Sequence, residues 1–199
     1  MAEKTTGKKQ KFPTELSPVG IAGFSHLDKP DTEGKYADNK FKITLYLDKA
    51  KPENIEWAKK VNAANEEQGG ENIVAKDGDE ENKRRIKKKK EPRENYVGKL
   101  VVTFKSRYAP DLVSTKRDPA TGKAAKLPEG EAPRGGDTVK VAYASIPYEA
   151  GENTGVSLQL RAVQLVEKRP RGSYGDAFDA DDDGEDAAEG EDGAGSGDF

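Results

Sequence analysis

The sequence predicts a mainly β domain of five short strands and one helix, with a basic body and an acidic C-terminal tail. Three observations predict it. Apolar and polar residues alternate with period two in five separate segments. One stretch between them carries a 3.6-residue spacing instead. The charge is also segregated. Residues 172–199 hold eleven carboxylates and no Lys, Arg or His, so all 34 basic residues share residues 1–171 with the other 26 acidic ones.

The first strand spans about Val19 to Leu27. The second, Lys40 to Asp48, sets Phe41, Ile43, Leu45 and Leu47 on one face and Lys42, Thr44 and Tyr46 on the other. Pro52 then opens a helix, where its missing N–H costs no hydrogen bond. Glu53 and Glu56 suit the positive end of the helix dipole. Ile55, Ala58 and Val61 form the packed side, and the pattern fades near Gln68-Gly69-Gly70. A polar stretch leads into a long basic loop, residues 82–93, where seven of the eight residues from Lys83 to Lys90 are cationic. The third strand runs from Tyr96 to Tyr108, with Leu100, Val102 and Phe104 on one side. Asp118-Pro119-Ala120-Thr121-Gly122 and Gly135-Gly136 mark turns. Thr138–Ile146 and Thr154–Glu167 are the fourth and fifth strands, joined by a hairpin turn at Gly151–Gly155. Each strand is polar on part of one face, which predicts an antiparallel sheet open to solvent there. Five short strands, one helix and long loops fit a small Greek-key barrel of the OB type. An immunoglobulin-like sandwich would want about seven strands.

The composition sets the boundaries. At 33% hydrophobic and 36% charged, the chain divides into a flexible basic arm (1–11), a folded domain (12–168) and a disordered acidic tail (169–199). The absence of cysteine excludes disulfides, zinc-thiolate sites and cysteine nucleophiles. His26 is the single histidine, reads as a solvent-facing strand position and has no metal-ligand spacing around it. Asp179, Asp181, Asp183 and Gly184 match the start of an EF-hand loop, but Gly190 stands where the closing glutamate belongs. Gly151–Gly155 lacks the Lys and Ser/Thr of a phosphate-binding loop. Among many carboxylates, none is isolated in an apolar setting as a general acid requires. The expectation is a protein that is not an enzyme and uses no cofactor. No apolar run approaches the roughly 18 residues of a membrane span, so a cytoplasmic protein without a membrane partner is expected.

Like charges packed as densely as Lys83–Lys90 repel one another unless a polyanion neutralises them. Each phosphate they neutralise releases counterions, which favours binding and makes it salt-dependent. Lysine over arginine suits backbone contact rather than base reading, so affinity without sequence preference is expected. Single-strand binders add aromatic rings that stack bases beside such a groove. Tyr46, Tyr96, Tyr108, Tyr143 and Tyr148 are the candidates, near Lys42, Lys105, Arg107, Lys140 and Arg161. The plainer reading of each tyrosine is half-buried packing, and Trp57, Phe41 and Phe104 read as packing outright. The candidate DNA-binding set is Lys42, Tyr46, Lys105, Arg107, Tyr143 and Tyr148, with Arg84, Arg85, Lys87, Lys88, Lys89 and Lys90 of the basic loop.

The segment from Gly135-Gly136-Asp137-Thr138-Val139-Lys140 through Tyr143 to Pro147-Tyr148 resembles a strand of the podovirus gene 2.5-type single-stranded DNA-binding proteins. Gly155-Val156-Ser157-Leu158-Gln159-Leu160, running to Leu165-Val166-Glu167, is similar too, as is an acidic tail closing on Asp198-Phe199. The resemblance implies an OB-fold protein that coats single-stranded DNA during phage replication and recombination in the bacterial host cytoplasm. It implies that the tail competes with DNA for the groove and contacts the replicative DNA polymerase and helicase-primase. It places the base-contacting tyrosine at Tyr148 with Tyr143 nearby, a groove lysine at Lys105 and the partner-binding tip at Asp198 and Phe199. Where the family can show a basic residue and tryptophan after Pro-Tyr, this chain has Glu149 and Ala150. The family's tail-assisted pairing implies a homodimer. Two alternatives stay open on the residues: an RNA-binding OB-fold chaperone, separable by the 2′-hydroxyl, and an interaction or scaffold protein that binds no nucleic acid.

Overall fold

A computed structural model of the chain describes residues 12–32, 37–151 and 153–170. The basic arm, the tail from residue 171 and with it Asp198 and Phe199 lie outside the described residues. In chain order the elements are β1 (Glu15–Leu16), β2 (Gly20–His26), β3 (Phe41–Asp48), α1 (Pro52–Glu67), β4 (Lys76–Asp77), α2 (Gly78–Lys87), β5 (Lys99–Ser106), β6 (Asp111–Arg117), β7 (Ala124–Lys126), β8 (Thr138–Ala150) and β9 (Asn153–Glu167). The chain divides into two units, Met1–Arg169 and Pro170–Phe199, and all of these elements belong to the first.

Every segment read as a strand is one, as β2, β3, β5, β8 and β9. The third starts later than expected, because Glu94–Tyr96 forms a 3-10 turn before it. The sheet holds nine strands rather than five. β1 and β4 are two residues each, too short to show any period. The β6–β7 hairpin is mostly exposed and so lacks an apolar alternation.

The sheet is mixed, which corrects the antiparallel expectation. Strand order is β1-β8-β2-β3-β5-β9-β6-β7, β4 pairs with β5 off this path, and β8 also pairs with β9. The pairings of β2, β3, β5, β9 and β8 therefore return to β2. An odd-numbered circuit cannot alternate direction all the way round, so one pair must run parallel. That pair is β5–β9, and β6 joins β9 in the same sense. Inside lie Ile43, Leu45, Leu47, Val102, Phe104, Val139, Val141, Tyr143, Leu160 and Val163.

α1 packs on this core with Ala58 and Val61, but its buried row continues with Asn54 and Asn65. Asn54 Nδ2 donates to the Asp48 carbonyl at 2.9 Å. Asn65 donates to the carbonyls of Gly70 and Asn72 and accepts the Val156 N–H at 2.7 Å. Ile55, expected on the packed side, is exposed because Asn54 takes the inner position.

The residues read as a basic loop form a second helix as far as Lys87. Asp77 is its N-cap, accepting the N–H groups of Asp79 and Glu80. Asp79, Glu80 and Glu81 stand at the positive end of its dipole and Arg84, Arg85 and Lys87 at the negative end. Its docking is polar, which removes the apolar period. Asn82 exchanges two hydrogen bonds with the Arg93 backbone, at 2.9 and 2.8 Å. Lys49 bridges Asp77 and Asp79 at 2.6 and 2.8 Å. A side chain at Gly78 would collide with the Tyr96 carbonyl, so glycine lets the helix start against the body.

Candidate nucleic-acid interface

The outer face of β3 and β5 is set by register. Lys42 stands opposite Lys105, Thr44 opposite Thr103, and Tyr46 opposite Val101. Facing residues of an antiparallel pair share one side of the sheet, so cations occupy one end of this face and aromatics the other. The two threonine hydroxyls are 3.2 Å apart at its middle.

At the cationic end Lys42 is nearly buried, paired with Asp31 and, at 3.1 Å, with Asp38. Lys105 reaches the other Asp38 oxygen at 2.9 Å and remains 43% exposed. Burial would raise the Asp38 pKa, but hydrogen bonds and charge from Lys105 and Lys42 bring it down to about 2. For Lys42 burial works downward and is outweighed by the hydrogen bonds it donates to Asp31 and Asp38 and by their negative charge, so its pKa rises. Lys42 and Lys105 thus share one carboxylate network, Lys42 within it and Lys105 at its exposed edge, while the exposed Arg107 has no ion pair among the described residues. Beside them Phe24 is 58% exposed, with the His26 ring 4.8 Å away and the Lys42 ammonium 5.8 Å from its centroid.

At the aromatic end Tyr46 is buried, and its hydroxyl accepts a hydrogen bond from Asn95 at 2.7 Å. Burial raises its pKa, keeping the phenol neutral. Its ring lies 5.8 Å from that of the half-buried Tyr96. Arg93 covers Tyr96 at 5.2 Å and donates to its hydroxyl at 2.8 Å. Tyr96, Thr103 and Val101 share a cavity of about 230 Å³ with Val74, with Lys76 of β4 and with Glu81 of α2, so the basic helix flanks this face.

The cations of α2 differ in availability. Lys83 and Arg84 pair with Glu80 and Glu81, and Arg85 Nε donates to the Glu91 carbonyl. Lys87, Lys88, Lys89 and Lys90 are exposed and have no ion pair among the described residues. The helix end presents these four charges on a fixed support.

The predicted tyrosines separate. Tyr148 is 37% exposed and sits opposite Gly155 on the β8–β9 hairpin. That hairpin is pinned to the end of α1 by Thr154 Oγ1 donating to the Gly69 carbonyl and by Asn65 on Val156. Tyr143 is 1% exposed and cannot stack a base. Its hydroxyl accepts the Trp57 indole N–H at 3.1 Å, its ring meets Phe104 at 5.2 Å, and burial pushes its pKa up to about 12. Alternation with Val139 and Val141 already points it inward. Tyr108 is 75% exposed beyond β5.

Sequence reasoning missed Phe24, Asp31, Asp38 and Arg93. Simple alternation puts Phe24 on the core side with Ala22. The register shift between Ala22 and Ser25 turns it outward. Asp31 and Asp38 lie between strands, where no period marks them. Among the described residues no cluster of His, Asp or Glu could hold a metal ion, and no helix is long and apolar enough to cross a membrane.

No protein-family profile matches this chain, and no curated protein matches it. Solved structures do. The single-stranded DNA-binding protein of bacteriophage Enc34 in complex with ssDNA aligns at TM-score 0.58 and 15% identity, over 80% of this chain and 89% of that one. A C-terminal truncation of the Enc34 protein aligns at 0.56 and 16%, over 79% and 87%. gp2.5, a single-stranded DNA-binding protein encoded by bacteriophage T7, aligns at 0.54 and 18%, over 87% and 99%. At these identities the likeness is one of fold.

Proposed function

We propose that this protein is a sequence-nonspecific single-stranded DNA-binding protein of phage replication and recombination, acting in the host cytoplasm without catalysis. The observation that carries the reading is the outer face of β3 and β5. It combines the exposed Arg107, the half-exposed Lys105 that shares Asp38 with Lys42, aromatic side chains at both ends and a basic helix end alongside. The five-strand circuit is an OB barrel in this reading, and the β3–β5 face with its adjoining loops is where OB barrels bind oligonucleotides. Shared fold with proteins whose structures are described as single-stranded DNA-binding supports it. Phosphates follow Lys105, Arg107 and Lys87–Lys90, while Tyr148 stacks a base. The carboxylates of residues 172–199 compete for the same cations, and DNA displaces them to offer Asp198 and Phe199 to a replicative polymerase or helicase-primase. Two copies associate as a homodimer.

The test is fluorescence anisotropy of a labelled single strand titrated with the full chain at low and moderate salt, with duplex DNA and RNA as competitors. The reading expects single-stranded DNA to compete best and affinity to fall linearly in log salt. Preference for RNA would select the chaperone reading. No binding at low salt would refute both.

A further inference from the structure

We propose that the cleft between Phe24 and the 132–135 segment is a base-binding subsite for one unstacked nucleotide of a single strand, with Phe24 as its stacking platform and Arg134 as its phosphate contact. The inference rests on the single-strand reading and adds a site that neither the sequence nor the resemblance pointed to. A large aromatic side chain left 58% exposed on a strand loses the burial that would stabilise it. The bulge that turns Phe24 outward holds it next to His26 and over Lys42, so one part of the ring is supported by the protein.

Beside Phe24 is a cavity of about 420 Å³, which Gly23, Ser25, Asp28, Pro133, Arg134 and Gly135 help to line. That volume lies within the roughly 300–1,000 Å³ of small-molecule sites. Its far wall is held in advance. The buried Asp137 carboxylate accepts the Arg134 N–H at 2.8 Å and the Arg169 N–H at 2.9 Å. Gly136 N–H donates to the Ala22 carbonyl at 2.7 Å, and Ser25 Oγ donates to the Pro133 carbonyl at 3.3 Å. Arg134 is exposed and its guanidinium has no ion pair among the described residues. An open aromatic, a preformed cleft and an available cation match a base with its own phosphate. Every base has a π-face, so the subsite tolerates any sequence.

The experiment compares the full chain with Phe24→Ala, Phe24→Trp and Arg134→Gln, binding a labelled single strand of about 30 thymidines. Phe24→Ala weakens binding by roughly 5- to 150-fold, the range for losing one stacked base. Its salt dependence is unchanged because no charge is removed. Phe24→Trp retains affinity, and its added emission is quenched at saturation by the stacked base. Arg134→Gln lowers the log–log salt slope by about 0.7. Because Phe24 is outside the core, all variants melt with the parent. If the parent binds and Phe24→Ala binds equally, or the Phe24→Trp emission is unmoved by DNA, the subsite is refuted and the single-strand reading stands. If the parent does not bind, both fall together.

Discussion

Asp38→Asn tests the ion network on the outer face. In the parent the carboxylate joins two ammonium groups, Lys42 at 3.1 Å and Lys105 at 2.9 Å. Lowering its pKa from 3.8 to about 2 corresponds to about 2.4 kcal/mol of native-state preference for the ionised form. The side chain is 26% exposed, and solvent screening brings the expected loss to about 1 kcal/mol. Lys42 keeps Asp31, so the buried ammonium is not orphaned, and the roughly 3–5 kcal/mol of an uncompensated buried charge does not apply. At neutral pH the variant should melt roughly 2–4 °C lower. The folded-state pKa is depressed, so this contribution is present above about pH 4 and disappears as pH falls toward 2. The gap between parent and variant in urea unfolding, followed by Trp57 fluorescence, should therefore shrink to about half by pH 3. The variant should also bind single-stranded DNA more tightly, because it removes an anion beside Lys105. Equal stability at neutral pH, or a gap that ignores pH between 7 and 3, would refute the network.

Three further outcomes follow from the same geometry. Tyr143→Phe leaves the Trp57 N–H without its acceptor and should cost about 1–2 kcal/mol in urea unfolding, with single-strand affinity unchanged. Asn65→Ala removes the bonds that hold residues 70–72 and the β8–β9 hairpin. It should cost about 2–4 kcal/mol and speed amide exchange at Val156. Replacing Lys87, Lys88, Lys89 and Lys90 by Gln should leave the melting temperature in place and lower the salt slope by roughly 2–3, measured by anisotropy.

The five long strands were legible because each is bounded by turn residues and keeps a period of two, as Phe41, Ile43, Leu45 and Leu47 do. α1 was legible from Pro52 and the spacing of Ala58 and Val61. α2 was not, because Gly78 and Asn82 are its buried positions and neither is apolar. Its legible signals were electrical: Asp77 at the cap, acids first and bases last. In the site, Lys105, Arg107 and the Lys87–Lys90 charges stood out by type alone, and they are exposed. Lys42 looked the same in the sequence, but Asp31 and Asp38 arrive from an irregular segment and bury it. Tyr143 was a candidate both as a strand tyrosine near cations and by resemblance, but its alternation with Val139 and Val141 decided its place in the core. Phe24 needed a bulge, which single-residue periodicity cannot show.

Whether single-stranded DNA lies on the outer face of β3 and β5, as proposed, can be read residue by residue from backbone amide NMR. Isotope-labelled full chain would be titrated with a short oligothymidine, and shifts assigned across the sheet. Perturbations are expected at Phe24, Lys105, Arg107, Tyr96, Tyr148 and Lys87–Lys90, while Leu16, Val113, Ala142 and Ala162, which line a separate cavity, stay still. Shifts concentrated on Leu16, Val113, Ala142 and Ala162, with the β3–β5 face unmoved, would contradict it.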